Sequence, residues 1–196
     1  MFRETIAPEE IEALELTAFP GRIHIITTQQ QCAAAVKHLS AQRLIGFDTE
    51  TRPTFTPNAP RSKTALLQLS SESDAFLFRL NAIGLPHSVA AILSDSGITK
   101  IGAAVMDDIY GLRRHTDFVP RRFMDLQNFA DKYGISDKSV KKLTAIILGK
   151  RISKAQQCSN WEAENLSEAQ QLYAATDAWI CLKMYKELLS HPYAEK

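Results

Sequence analysis

The order in which its apolar runs occur constrains this chain's fold most. Short strand-like runs come first: Arg22–Ile26 (RIHII), then LIGFDTE at 44–50, then ALLQLS at 65–70 and DAFLFRL at 74–80. The last two are separated by a short polar turn and read as a hairpin. TKIGAA at 99–104 reads as a short buried strand, and FMD at 123–125 ends a further extended run. Elsewhere the apolar spacing is helical. Thr28 caps a helix to about Ser40, with Ala33, Val36 and Leu39 on one face. Helices are predicted at 88–93 and 107–114, then from Asp125 to a stop at Gly134, and from Ser139 to about Leu148. A long helix begins at Ser167, where Ser-Glu-Ala-Gln fits a capping box. Hairpin strands, then strand–helix alternation, then helices predict an α/β fold: a mixed β-sheet flanked by α-helices.

What lies between is punctuation. The first sixteen residues carry Glu4, Glu9, Glu10, Glu12 and Glu15 against Arg3, and read as a short surface helix after Pro8. RPTFTPNAPRSK at 52–63 must be a loop, and 149–165 looks irregular. With no repeat or linker, residues 1–196 read as one domain: 1–40 hold an N-terminal extension and the first elements, 40–190 the motifs described below. Net charge is only +1, so any surface for a polyanion must be local. Three cysteines without a CxxC pair argue against a zinc site or a disulfide framework and fit a reducing compartment. The acidic N-terminus has no signal-peptide core, and no run approaches the ~18–20 apolar residues that span a bilayer. A cytoplasmic protein without a membrane partner is expected.

Three features could carry chemistry. Asp48 and Glu50 are i and i+2 on a strand, so both point to one face while Phe47 and Thr49 point to the other. Two adjacent carboxylates repel unless a cation or a proton lies between them, although an exposed acidic pair at a strand end is common. Tyr173 and Asp177 are i and i+4 on a helix rich in alanine, where the carboxylate needs a metal or a partner such as the tyrosine itself. Asp107 and Asp108 open a helix, where the dipole alone favours acids. Val105, Asp108, Ile109 and Leu112 share one helical face, so Asp108 leans inward and Asp107 outward. Oxygen-only ligands select hard cations such as Mg²⁺ or Mn²⁺, and two ions roughly 3.5–4 Å apart clamp the attacking and leaving oxygens of a phosphodiester.

These features occur in the order of a known family. GFDTE at 46–50, ALLQLS at 65–70, KIGAAVMDDIYGL at 100–112, CSNW at 158–161 and LSEAQQLYAATDA at 166–178 resemble the DEDDy 3′–5′ exonucleases of the ribonuclease-H-like superfamily. Within it they look most like Werner-type exonuclease domains, then ribonuclease D. The family spacing from Gly102 and to Leu112 selects Asp108 for the second motif. In the sister class a histidine stands five residues before the last aspartate, and here that position is Leu172. The resemblance implies a ribonuclease-H-like sheet and two metal ions. Asp48, Glu50 and Asp177 would ligate the ion holding the nucleophilic water; Asp48 would bridge to a second ion, bound by Asp108 through water. Tyr173 would orient the attacking water, and the product would be a nucleoside 5′-monophosphate. Relatives often carry arginine where this chain has Gln157, which removes one charge-assisted phosphate contact for which Lys154 is a substitute.

The implied partner is nucleic acid, with DNA favoured. The alternatives are a 3′–5′ exoribonuclease like ribonuclease D and a binding module with weak catalysis. Little chain follows the last helix, which argues against the helical RNA-binding domains usual in ribonuclease D. No helicase sequence is attached, so a helicase is expected as a separate partner, by analogy. Lys138, Lys141, Lys142, Lys150, Arg151 and Lys154 form a run without an acid that would track phosphates, unless it is simply a solvated face. Phe55 is a candidate for stacking on a base. Trp161 and Trp179 read as core, Asp125 as a helix cap, and the five histidines as surface or capping residues.

Overall fold

The fold is known from a computed structural model that describes residues 1–53 and 62–194. Its elements, in chain order, are α1 (Pro8–Glu12), β1 (Arg22–Ile26), α2 (Gln29–Ser40), β2 (Leu44–Thr51), β3 (Thr64–Ser70), β4 (Asp74–Arg79), α3 (Leu80–Ile83), α4 (His87–Ser94), β5 (Thr99–Gly102), α5 (Val105–Arg113), β6 (Phe123–Asp125), α6 (Leu126–Ala130), α7 (Val140–Leu148) and α8 (Glu168–Leu189). The strands form one sheet in the order β1-β4-β3-β2-β5-β6. β2, β3 and β4 run antiparallel, as the hairpin signal predicts, while β1 joins β4, β5 joins β2 and β6 joins β5 in parallel. The sheet is therefore mixed and flanked by helices, as the segment order predicts.

Strand alternation divides the sheet into two unlike faces. Ile45, Phe47, Leu67, Leu69, Phe76 and Phe78 pack with α2, α4 and α5 in one large core. Gly46, Asp48, Glu50, Leu66, Gln68 and Ser70, paired across β2 and β3, share the opposite face, which α8 covers. That helix starts at the predicted cap: the Ser167 side chain accepts from the Gln170 amide, and Gln170 returns the bond to Ser167. It lies unusually close to the sheet, because a Cβ on Gly46 would stand 2.0 Å from the Ala178 carbonyl oxygen and 2.5 Å from Ser70 Oγ. Only glycine permits that approach.

Several boundaries differ from the predictions, each for a tertiary reason. The N-terminal helix lies on the surface as predicted, with four of its five residues exposed, and is anchored by Ile11, which is buried with Ile6 against Ala145 of α7. β4 ends at Arg79, whose buried guanidinium donates to the backbone carbonyls of Ala163 and Glu164, and Leu80 opens a short helix instead of extending the strand. β5 stops at Gly102, and Ala104 adopts a left-handed φ of 54° as the cap of α5, so that helix starts two residues before the predicted 107. The helix capped by Asp125 tightens to a 3₁₀ turn at Asp131–Tyr133 before Gly134 ends it with φ 77°. Among the described residues, no helix is long and apolar enough to cross a membrane.

Candidate active site

The predicted acids come from three elements. Asp48 and Glu50 project from the C-terminal half of β2 toward α8, and Asp177 projects back from the middle of that helix. One carboxylate oxygen from each lies within 4.8 Å of the other two. Asp48 and Glu50 are half-buried and Asp177 is 5% exposed. They line a cleft of about 220 Å³ with Tyr173, Lys154 and Gln157. Tyr173 is buried one helical turn before Asp177, and its ring packs 5.8 Å from that of the fully buried Trp161.

Asp108 reaches the site from the other layer. It is half-buried and its neighbour Asp107 is exposed, as helical spacing predicts. Its Oδ1 accepts a 2.5 Å hydrogen bond from Thr49 Oγ1, the residue that points away from the cleft between the two β2 acids. Asp108 thus stands outside the three-carboxylate cluster, close enough that its charge is felt by Asp48. Sequence reasoning missed Thr49. The alternation that turned Asp48 and Glu50 one way turned Thr49 toward α5, and that was the available signal. Beyond Thr49 lies a second cavity of about 380 Å³, bounded by Arg52, Thr64, Asp108, Tyr110 and Arg114.

The electrostatics show a cluster short of positive charge. Burial, and then the charges of Asp177 and Asp108, push the Asp48 carboxyl well above the usual carboxylate range. Burial and the Asp48 charge lift Glu50 to about 9. Burial also raises Asp177, against the opposing pull of Lys154. Asp108 is lifted by burial to about 6, although the Thr49 hydrogen bond lowers it. The Tyr173 hydroxyl is raised above the ordinary phenol range by burial and by Asp177 and Glu50, so it remains a proton donor at neutral pH. Among the described residues one cation stands with them: Lys154 Nζ donates to both Asp177 oxygens at 3.0 Å and to the Tyr173 hydroxyl at 3.4 Å. Three converging carboxylates facing a single ammonium fit a hard divalent cation, which binds oxygen donors and relieves their repulsion.

The rest of the basic run does not gather at the cleft. Lys138 pairs with Asp131, Lys141 with Glu12 at 2.6 Å, Lys142 with Asp137 at 2.7 Å and Lys150 with Glu15. Arg151 donates through Nε to the Leu14 carbonyl. Glu12 and Glu15 of the acidic N-terminal segment take up two of these charges, and of the six basic residues only Lys154 lines the acidic cleft. Asp125 caps α6 through a 2.9 Å bond from the Gln127 amide. Trp161 and Trp179 are both buried. Phe55 lies outside the described residues.

Comparison with known proteins gives a consistent result. The family model described as 3′–5′ exonuclease matches residues 23–191. The chain is 32% identical over 185 residues to the bifunctional 3′–5′ exonuclease/ATP-dependent helicase WRN of Mus musculus, covering 89% of this chain and 13% of that protein. Ribonuclease D of Escherichia coli, an exoribonuclease involved in structured RNA processing, superposes with a TM-score of 0.75 and 26% identity over 86% of this chain and 44% of that one. The Nibbler EXO domain of Aedes aegypti shares the fold with a TM-score of 0.74 and 22% identity, over 86% of this chain and 87% of that domain. The sheet and its helices are thus ribonuclease-H-like. The chain spans about an eighth of the length of the mouse relative.

Proposed function

This chain belongs to the 3′–5′ exonuclease family, and we propose that it removes nucleotides by metal-dependent hydrolysis from the 3′ end of a nucleic-acid strand, DNA by preference. The observation that carries this reading is the convergence of Asp48, Glu50 and Asp177 within 4.8 Å at one cleft. These three residues would hold one Mg²⁺ or Mn²⁺, and Asp48 with Asp108 would hold a second; such ions would lower the pKa of the attacking water and neutralise charge at the scissile phosphate.

The chain's own groups do the positioning. Tyr173 keeps its proton and donates a hydrogen bond that orients the water. Asp108 keeps Oδ1 on Thr49 and, among the described residues, no side chain donates to its Oδ2, which would take its share of the site. Lys154, on the wall of the cleft, takes a phosphate oxygen, and Gln157 beside it supplies only a neutral amide. The exposed Tyr110 and Arg114 at the second cavity support a path for the strand past Thr49. The product is a nucleoside 5′-monophosphate. By analogy with the mouse relative's two activities, the domain works alongside a helicase, and a pull-down that returns no helicase removes that suggestion.

A second substrate reading, RNA, is supported by the likeness to ribonuclease D. Single-stranded DNA, recessed duplex and RNA, each labelled at the 5′ end and incubated with Mn²⁺, Mg²⁺ or EDTA, test both. Faster 3′ shortening of DNA supports the first reading, faster shortening of RNA the second. Intact strands in every metal lane contradict both.

A further inference from the structure

We infer that Thr49 is a positioning residue for the second ion: its hydroxyl fixes the Asp108 carboxylate relative to Asp48 and Glu50, and so sets the spacing between the two ions. The inference rests on the two-ion reading of the cleft. Thr49 Oγ1 donates to Asp108 Oδ1 at 2.5 Å, in the short range of hydroxyl bonds to carboxylates. Among the described residues no other group donates to Asp108. Thr49 borders both the acidic cleft and the second cavity.

The place of this bond in the fold gives it a role. Asp48 and Glu50 are the covalent neighbours of Thr49 on β2, whereas Asp108 belongs to α5. Asp108 stands outside the three-carboxylate cluster and takes no alignment from it. The bond therefore refers Asp108 to the ligands of the first ion through one residue of strand backbone. Hydrolysis by two ions needs them about 3.5–4 Å apart, a spacing that a freely turning side chain does not keep. Threonine suits the task because its branched Cβ restricts χ1, so the hydroxyl is itself held stiffly. A structural tie between β2 and α5 would not need an acid. The core face of α5 carries Val105, Ile109 and Leu112, all buried, and an apolar residue at 108 would pack there without the cost of a half-buried carboxylate. One hydroxyl also occupies only one of about four acceptor sites on a carboxylate, which leaves the others for a cation and its water.

The test is a double-mutant cycle with two readouts. One is Mn²⁺ binding in the presence of deoxythymidine 5′-monophosphate, from the electron paramagnetic resonance of free Mn²⁺. The other is the rate of 3′ shortening of a 5′-labelled DNA strand. The chains are wild type, Thr49→Val, Thr49→Ser, Asp108→Ala, the combined Thr49→Val and Asp108→Ala chain, and Asp48→Ala. Wild type is expected to bind two ions. Thr49→Val should keep the first and bind the second about tenfold or more weakly, with shortening slowed to match. Thr49→Ser keeps the hydroxyl and should restore both readouts to near wild type, short of it only by the lost stiffness of the branched side chain. In the Asp108→Ala background, Thr49→Val should change neither readout, because the residue it acts through is gone. Wild-type binding of both ions by folded Thr49→Val, loss of both ions together, or an equal effect of Thr49→Val with and without Asp108 overturns the inference. Valine has the shape of threonine; if it still fails to fold, Thr49→Ala takes its place, and failure of both overturns the inference by making the hydroxyl a structural requirement. A single ion in wild type removes the two-ion reading and this inference with it. If Asp48→Ala binds Mn²⁺ as wild type does, or neither binds, the metal reading of the whole cleft falls, and the role of Thr49 too.

Discussion

At the scale of single residues, the site is governed by carboxylates that burial and mutual repulsion hold above their ordinary range. Glu50 titrates near 9 in the folded chain against an ordinary 4.5, and Asp48 and Asp177 are raised as well. A raised acid binds more protons in the folded state than in the unfolded one, so its contribution is complete below the unfolded pKa and is lost as pH rises through the folded value. Metal-free protein should therefore lose stability between about pH 4.5 and 9. Thermal denaturation in EDTA across that range checks this, and Glu50→Gln should flatten the slope. Lys154 carries the second residue-scale prediction. Lys154→Met removes the ammonium paired with Asp177, so Mn²⁺ should bind several-fold more tightly. The salt dependence of strand binding should lose about one unit of slope in a log–log plot. Paired metal and strand titrations read both effects, and an unchanged salt slope leaves Lys154 without a phosphate role. The alternation of β2 made Asp48 and Glu50 legible as a pair in the sequence. The bond from Thr49 to Asp108 joins residues 59 apart and depends on how α5 crosses the end of the sheet, so no local pattern reports it.

At the scale of elements, the site depends on how closely α8 lies on β2. The helix can come that near because Gly46 has no side chain and Ala174, Ala175 and Ala178 are small. Gly46→Ala places a methyl group 2.0 Å from the Ala178 carbonyl oxygen, too close for either element to stay in place. Overpacking of this kind costs about 1–3 kcal/mol. The variant should unfold at correspondingly lower urea and bind Mn²⁺ weakly, because Asp177 moves away from Asp48. A variant of wild-type stability with unaltered metal binding contradicts the claim that this contact sets the site. The capping box at Ser167 and the hairpin of β3 and β4 could be read from local sequence, since both are written in neighbouring residues. Other features could not. The burial of Ile11 depends on Ala145, and the basic run of α7 and its flanks finds Glu12 and Glu15 from the far end of the chain.

At the scale of the whole molecule, a nearly neutral chain gathers a cluster of half-buried and buried carboxylates at one place. Glu12 and Glu15 of the acidic N-terminal segment pair with Lys141 and Lys150, Lys138 and Lys142 pair with Asp131 and Asp137, and a cluster of carboxylates lies where β2 and α8 converge, with Asp108 of α5 beside it. The sheet positions this convergence: β2 is central, with the antiparallel β3 on one side and the parallel β5 on the other. The segment order predicted a mixed sheet, but strand order depends on long-range pairing, which propensity does not encode. The most direct test of the central claim is product analysis on a 5′-labelled strand, comparing wild type with Asp48→Ala in Mn²⁺ and in EDTA. The predicted result is a ladder shortening from the 3′ end with release of nucleoside 5′-monophosphates, present only in wild type with metal. Equal shortening by Asp48→Ala, or by wild type in EDTA, would contradict the assignment of this cleft as the hydrolytic centre.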